Sequence, residues 1–144
     1  MPDFNKLKTY RSNLIMGLLL FFMSDLSAQT DSINKVSDAP EISFETELHD
    51  FGNIRRGDTV VYNFKFTNTG NKPLLITDAS SGCDCTIPKW SHKPINKGES
   101  SAITITFISE EEGGDQAKEI IVYSNSKTPV KILRFTGYVD YSEK

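Results

Sequence analysis

The 144-residue chain is poor in the residues that carry most chemistry: two cysteines, two histidines and one tryptophan. Two cysteines cannot build a disulfide-rich scaffold or a closed four-thiolate zinc site. Two histidines leave few routes to metal binding or acid–base catalysis. Basic residues are not in excess, with 16 Lys+Arg against 19 Asp+Glu and a net charge of −3. That balance supplies no basic face for nucleic acid. The sequence has no Gly-x-Ser-x-Gly elbow, no His-Glu-x-x-His helix and no phosphate loop. A Cys–His nucleophile pair stays open because His92 is near in sequence, but a catalytic thiol needs an electropositive, partly exposed setting, and Asp84, between the cysteines, would raise rather than lower its pKa. No enzymatic activity is expected. The composition, 38% hydrophobic and 24% charged, is that of one globular domain.

The N-terminus carries an export address. Lys6, Lys8 and Arg11 precede an unbroken apolar run at residues 14–23 (LIMGLLLFFM). That run suits a secretory h-region and falls short of the roughly 20 residues that a spanning helix needs. Ser24 to Ala28 supply small residues and a helix break, which places cleavage between Ala28 and Gln29. Residues 1–28 are therefore expected to be a signal peptide, and no membrane span is expected once they are removed. No cysteine follows the apolar run, which argues against a lipoprotein anchor. The mature chain is expected to be periplasmic or secreted, in an oxidising space where the state of its two cysteines matters.

Residues 29–40 (QTDSINKVSDAP) read as a polar linker. From Glu41 onward apolar residues recur with period two, the mark of half-buried strands. Ile42 and Phe44 alternate with polar neighbours. Val60, Tyr62, Phe64 and Phe66 make the clearest case. Leu74 and Ile76, the Ile103–Ile105–Phe107 set, Ile120 with Val122, and residues 130–139 follow. Turn signals lie between them at Arg56-Gly57-Asp58, Asn68-Thr69-Gly70-Asn71, Lys97-Gly98-Glu99, Gly113-Gly114-Asp115 and Ser124-Asn125-Ser126. No helical repeat and no long crossover interrupts the pattern, which disfavours a parallel sheet with helices. The expected fold is all-β: an immunoglobulin-like antiparallel sandwich of about seven strands over residues 41–139, with a tail at 140–144.

The order and spacing of several pieces support this. They are Phe51-Gly52-Asn53-Ile54 with Gly57, Phe64-Lys65-Phe66-Thr67-Asn68-Thr69-Gly70, Pro73-Leu74, Gly82-Cys83-Asp84-Cys85-Thr86, Gly98-Glu99-Ser100 and Ser124-Asn125-Ser126. Together they resemble the secreted bacterial family called domain of unknown function 1573, over about residues 42–139. That family is similar to the ASH/Hydin and major-sperm-protein group of immunoglobulin-like domains. The resemblance implies a fold and an export route, with no catalytic residues to carry over. The family usually has glycine where this chain has Asp84, a change that reduces backbone freedom there.

Cys83-Asp84-Cys85 is the motif with chemical potential. In an extended segment residues i and i+2 share a face, and three readings are open. The cysteines are buried and structural, since free Cys packs as a small hydrophobe. Or they form a disulfide, which needs a tight turn at Asp84 because extended spacing sits near the Cα limit of roughly 6.8 Å. Such a bond is passive or exchanges in redox chemistry. Or they bind a soft metal: Cu(I) accepts two sulfurs, and Zn(II) would also recruit His49 and His92.

Other candidates have plainer readings. Glu110, Glu111, Glu112 and Asp115 lack the spacing of a calcium loop and read as a solvated hairpin. Trp90 reads as a cover for one open end of the sandwich, with an exposed binding aromatic as the alternative. Arg55-Arg56 is a turn. The function expected is that of an exported, non-enzymatic binding or assembly module of the cell envelope. It has no cofactor, and its partner is an unidentified envelope or extracellular protein held by loops or by a sheet edge. The edges expected are the first strand near Ile42 and the last near Phe135. The alternative is a periplasmic thiol-redox or copper-binding protein that uses Cys83 and Cys85.

Overall fold

Eight strands joined by short turns fill residues 38–141, the part of the chain that the computed structural model describes. The signal segment 1–28, its Ala28–Gln29 boundary, most of the linker and residues 142–144 lie outside the described residues. In chain order the strands are β1 (Ile42–Phe44), β2 (Leu48–Arg55), β3 (Thr59–Asn68), β4 (Ile76–Ser81), β5 (Thr86–Lys89), β6 (Ser100–Ile108), β7 (Gly114–Ser124) and β8 (Val130–Asp140). They form two four-stranded sheets, ordered β1-β3-β6-β5 and β2-β8-β7-β4. The described residues contain no helix long and apolar enough to cross a membrane.

Period-two patterning builds the core. Val60, Tyr62 and Phe64 of β3 stand opposite Phe107, Ile105 and Ile103 of β6. The second sheet contributes Ile120 and Val122 of β7 with Leu133, Phe135 and Val139 of β8, all buried. Each such side chain contributes about 1.5–3 kcal/mol when fully buried. The loop after β3 is held by Asn68, which is fully buried. Its Oδ1 accepts from the N–H groups of Gly70 (3.0 Å) and Glu41 (3.3 Å), and its Nδ2 donates to the carbonyls of Lys72 (2.8 Å) and Ile95 (2.9 Å). Ala39 and Pro40, at the end of the polar segment, are also tied down: their carbonyls accept from Asn71 and Lys127.

The sandwich forms as expected, with differences in detail. There are eight strands, and one pair is parallel: β2 runs alongside β8, from Leu48↔Arg134 to Arg55↔Asp140. The expectation that the last strand is an edge is wrong. β8 is interior, between β2 and β7, because the chain leaves the first sheet after Phe44 and joins the second at Leu48. β1 is an edge, as expected, and the others are β5, β2 and β4. Leu74 lies outside β4, in an isolated bridge to Ile95.

That switch of sheets has a structural consequence. β1 pairs with β3 only at residues 66–68, and the last bond across is from Glu45 N–H to the Lys65 carbonyl. Among the described residues, no strand covers that side of β3 from 59 to 64. The β2 ladder is broken between Asp50 and Asn53, where Gly52 adopts φ +69°, a backbone conformation that glycine takes at little cost. The break turns Phe51 toward the core, where it meets Phe107 and Phe135 with ring centroids 5.3 and 5.4 Å away.

Candidate functional site

Two places in the sandwich have chemical character. The first is the turn between β4 and β5. Ser81 ends β4, the chain turns at Asp84–Cys85, and Thr86 begins β5. The turn brings the Cα atoms of Cys83 and Cys85 to 5.2 Å, and the two residues form a disulfide. Of the three readings of this motif, the structure has the bonded pair. The expectation of extended, free, buried thiols fails because the backbone turns at Asp84. Both cysteines are half-buried rather than in the core.

Bonds independent of the disulfide hold the turn. Ser81 Oγ lies 2.8 Å from the Cys83 carbonyl and 2.7 Å from that of Thr86, so its proton bridges the two. The Cys85 carbonyl accepts from Ile108 N–H at 2.9 Å, which ties the turn to β6. The buried Thr86 hydroxyl is 3.5 Å from Cys83 Sγ and 3.6 Å from Cys85 Sγ. A surface pocket beside the sulfurs is walled by Asp84, Glu110, Glu111 and Glu112. Glu112 is anchored by Lys118 Nζ at 3.1 Å, both side chains about three-quarters buried.

The two histidines do not reach the cysteines. Among the described residues the one group of potential metal-ligating side chains is Cys83, Cys85 and Glu112, with donor atoms all within 4.8 Å of one another. His49 is stacked on Tyr62. His92 meets the edge of Trp90, 5.2 Å between centroids, and Trp90 packs against the core with its Nε1 buried and unpaired. Glu112 was not legible as a neighbour of the cysteines. The only hint was that an acidic turn follows the strand that β5 pairs with.

The second place is the uncovered side of β3. A narrow apolar slot opens between the sheets there, lined by His49 and Phe51 of β2, Val60, Tyr62 and Phe64 of β3, and Phe107 of β6. The His49–Tyr62 stack stands at this slot, and Val61, on the outer face of the same strand, is 60% exposed. Sequence reasoning identified the β3 pattern but did not show that half the strand lacks a neighbour.

Comparison with known proteins agrees with the fold. Among solved structures, a protein of unknown function from Porphyromonas gingivalis W83 superposes with a TM-score of 0.62 at 15% identity, over 76% of this chain and 51% of that one. The chain thus spans about half the length of that relative. The ASH/PapD-like domain 7 of human CEP192 also gives a TM-score of 0.62, at 13% identity over 82% of this chain and 97% of the domain. The secreted serine protease VesC of Vibrio cholerae gives 0.53 at 18% identity, over 69% of this chain and 23% of the protease. At these identities the likeness is one of fold alone. No protein of curated function matches the chain in sequence. Residues 42–139, nearly the whole sandwich, match the family described as protein of unknown function (DUF1573), and the chain belongs to that family.

Proposed function

We propose that this domain is a non-enzymatic binding or assembly module of the bacterial cell envelope, exported to the periplasm or beyond. Its ligand is an extended segment of a partner protein laid along β3. The observation that carries this reading is the uncovered side of β3 at residues 59–64, beside the apolar slot under His49 and Tyr62. Unpaired strand backbone is a template for another strand, and a neighbouring pocket gives the added strand its side-chain preference. The fitting segment is extended, with apolar residues at alternate positions directed into the slot.

The other edges are blunted. β1 is three residues long, β5 carries Pro88, and β2 and β4 each have a ladder irregularity. β7 extends beyond the end of β4, but there Lys118 shares the inward parity of Gln116 and Ile120 and is held by Glu112. Inward charge of this kind discourages edge pairing.

A photo-crosslinking amino acid at Val61 tests the proposal in producing cells, with the same group at Glu99, in the turn beside Asn68 at the opposite end of β3 from the uncovered stretch, as control. The expected result is a partner peptide crosslinked at Val61 and not at Glu99, mapped by mass spectrometry to an alternating apolar segment. Val60→Lys, confirmed folded by circular dichroism, should abolish the crosslink. Equal labelling at both positions, no adduct at Val61, or an adduct unchanged by Val60→Lys would overturn the reading.

A further inference from the structure

Around the β4–β5 turn, the two sulfurs and the Glu112 carboxylate lie within 4.8 Å of one another beside a pocket of carboxylates. We propose that this is a zinc site closed by oxidation: reducing the Cys83–Cys85 disulfide frees two thiolates that bind one Zn(II) together with Glu112. The proposal is independent of strand binding on β3 and uses different residues.

The fit is geometric first. Zinc takes sulfur at about 2.3 Å and carboxylate oxygen at about 2.0–2.2 Å, so two sulfurs on one tetrahedral ion stand ~3.8 Å apart. With the Cα atoms 5.2 Å apart, side-chain rotation alone can deliver that separation. The backbone need not move, because Ser81 and Ile108 hold the turn without the disulfide. Glu112 is positioned by Lys118 through one oxygen, which leaves the other for a cation. The fourth position falls to water.

Charge supports the same ligand. Asp84, Glu110 and Glu111 add negative potential around the donors. Without a metal this disfavours a pair of thiolates, and a divalent cation reverses that balance. The Thr86 hydroxyl, within reach of both sulfurs, donates to a thiolate once one forms, the outer-shell support that metal ligands usually have. A phosphine breaks the S–S bond and leaves as the phosphine oxide, with water supplying its oxygen and the two protons that complete the thiols; Zn(II) then displaces both protons on binding.

The test uses the folded domain with Co(II) as spectroscopic probe and Zn(II) as competitor, before and after reduction by a phosphine. The reduced protein should bind one Co(II) with sulfur-to-metal charge transfer, and Zn(II) should displace it. The disulfide form should bind none. Glu112→Gln should keep the charge-transfer band but weaken binding by about tenfold or more, the scale of losing even an outer-shell partner. Glu45→Gln, at the β1 edge of the first sheet and so across it from β5, should leave the affinity within a factor of about two, and circular dichroism should show both variants folded. Absence of a charge-transfer band in the reduced protein would overturn the proposal. So would equal affinity in the Glu112→Gln and Glu45→Gln variants, or binding that is unaffected by oxidation.

Discussion

The His49 imidazole lies flat on the Tyr62 ring, with centroids 3.5 Å apart and planes within 9°. The contact joins β2 of one sheet to β3 of the other where β3 has no neighbouring strand. Tyr62 also meets Phe64 edge-on at 4.8 Å, so it carries more of the packing. His49→Ala should cost about 0.5–1.5 kcal/mol, the worth of an aromatic pair beyond its area. Tyr62→Ala should cost more, about 2–4 kcal/mol. Urea denaturation of the two single variants and the double variant checks this. The cycle should return a coupling energy of about 0.5–1.5 kcal/mol.

Gly137 sits beneath the Phe51 ring, and a Cβ there would collide with it. Gly137→Ala should therefore displace Phe51 from Phe107 and Phe135 and destabilise by about 1–3 kcal/mol, as overpacking does. Much of the loss should disappear when Phe51 is first shortened to Leu. Equal penalties for Gly137→Ala in both backgrounds would show that the ring is not the obstacle.

Asn68→Ala should be among the most damaging single changes in the domain. It strips the partner from two N–H groups and from the Lys72 carbonyl at the end of β3, while the Ile95 carbonyl keeps only Leu74 N–H. Leaving such groups unpaired costs about 1–3 kcal/mol each where water cannot replace the bond. Partial hydration of the exposed loop reduces the sum, and a total loss of about 2–4 kcal/mol is expected from chemical denaturation. Asn68→Asp should not rescue it, because the carboxylate cannot donate to Lys72 and Ile95.

The disulfide should add to stability without being required for folding. It closes so short a loop that the chain-entropy estimate is only about 1.5 kcal/mol. The double variant Cys83→Ser/Cys85→Ser should fold, with a midpoint lower by about 6–12 °C. Differential scanning calorimetry measures this, and a variant that fails to fold would show that the turn depends on the bond.

The sequence announces the sandwich because its central strands are long and strictly alternating: β3 and β6 bury Phe64, Phe66, Ile103, Ile105 and Phe107 without a break in period. The strands it conceals are those that break the rule. β2 contains Phe51-Gly52 at its ladder irregularity, which resets the inward parity and reads as a turn. β5 has four residues and contains Pro88, a breaker signal that is tolerated because β5 is an edge. Pairing order is not a local property, so nothing near Phe135 reveals that β8 is interior. The same limit applies to the candidate sites. The Cys83–Cys85 spacing is visible, but Glu112 reaches them through the β5–β6 pairing and the turn after β6. The open stretch of β3 exists only because a different segment changes sheets.

The parallel pairing of β2 with β8 joins Leu48 to Arg134 and Arg55 to Asp140. The second sheet therefore cannot be completed until the last strand has left the ribosome. A chain delivered N-terminus first holds β2 without its neighbour until almost the whole domain has emerged, and contacts of such sequence separation form slowly. The second sheet is thus completed last. β2 alone has no strand partner until then, since β1, β3, β5 and β6 pair among themselves and β4 pairs with β7, and truncation within β8 removes the strand that joins β2 to β7.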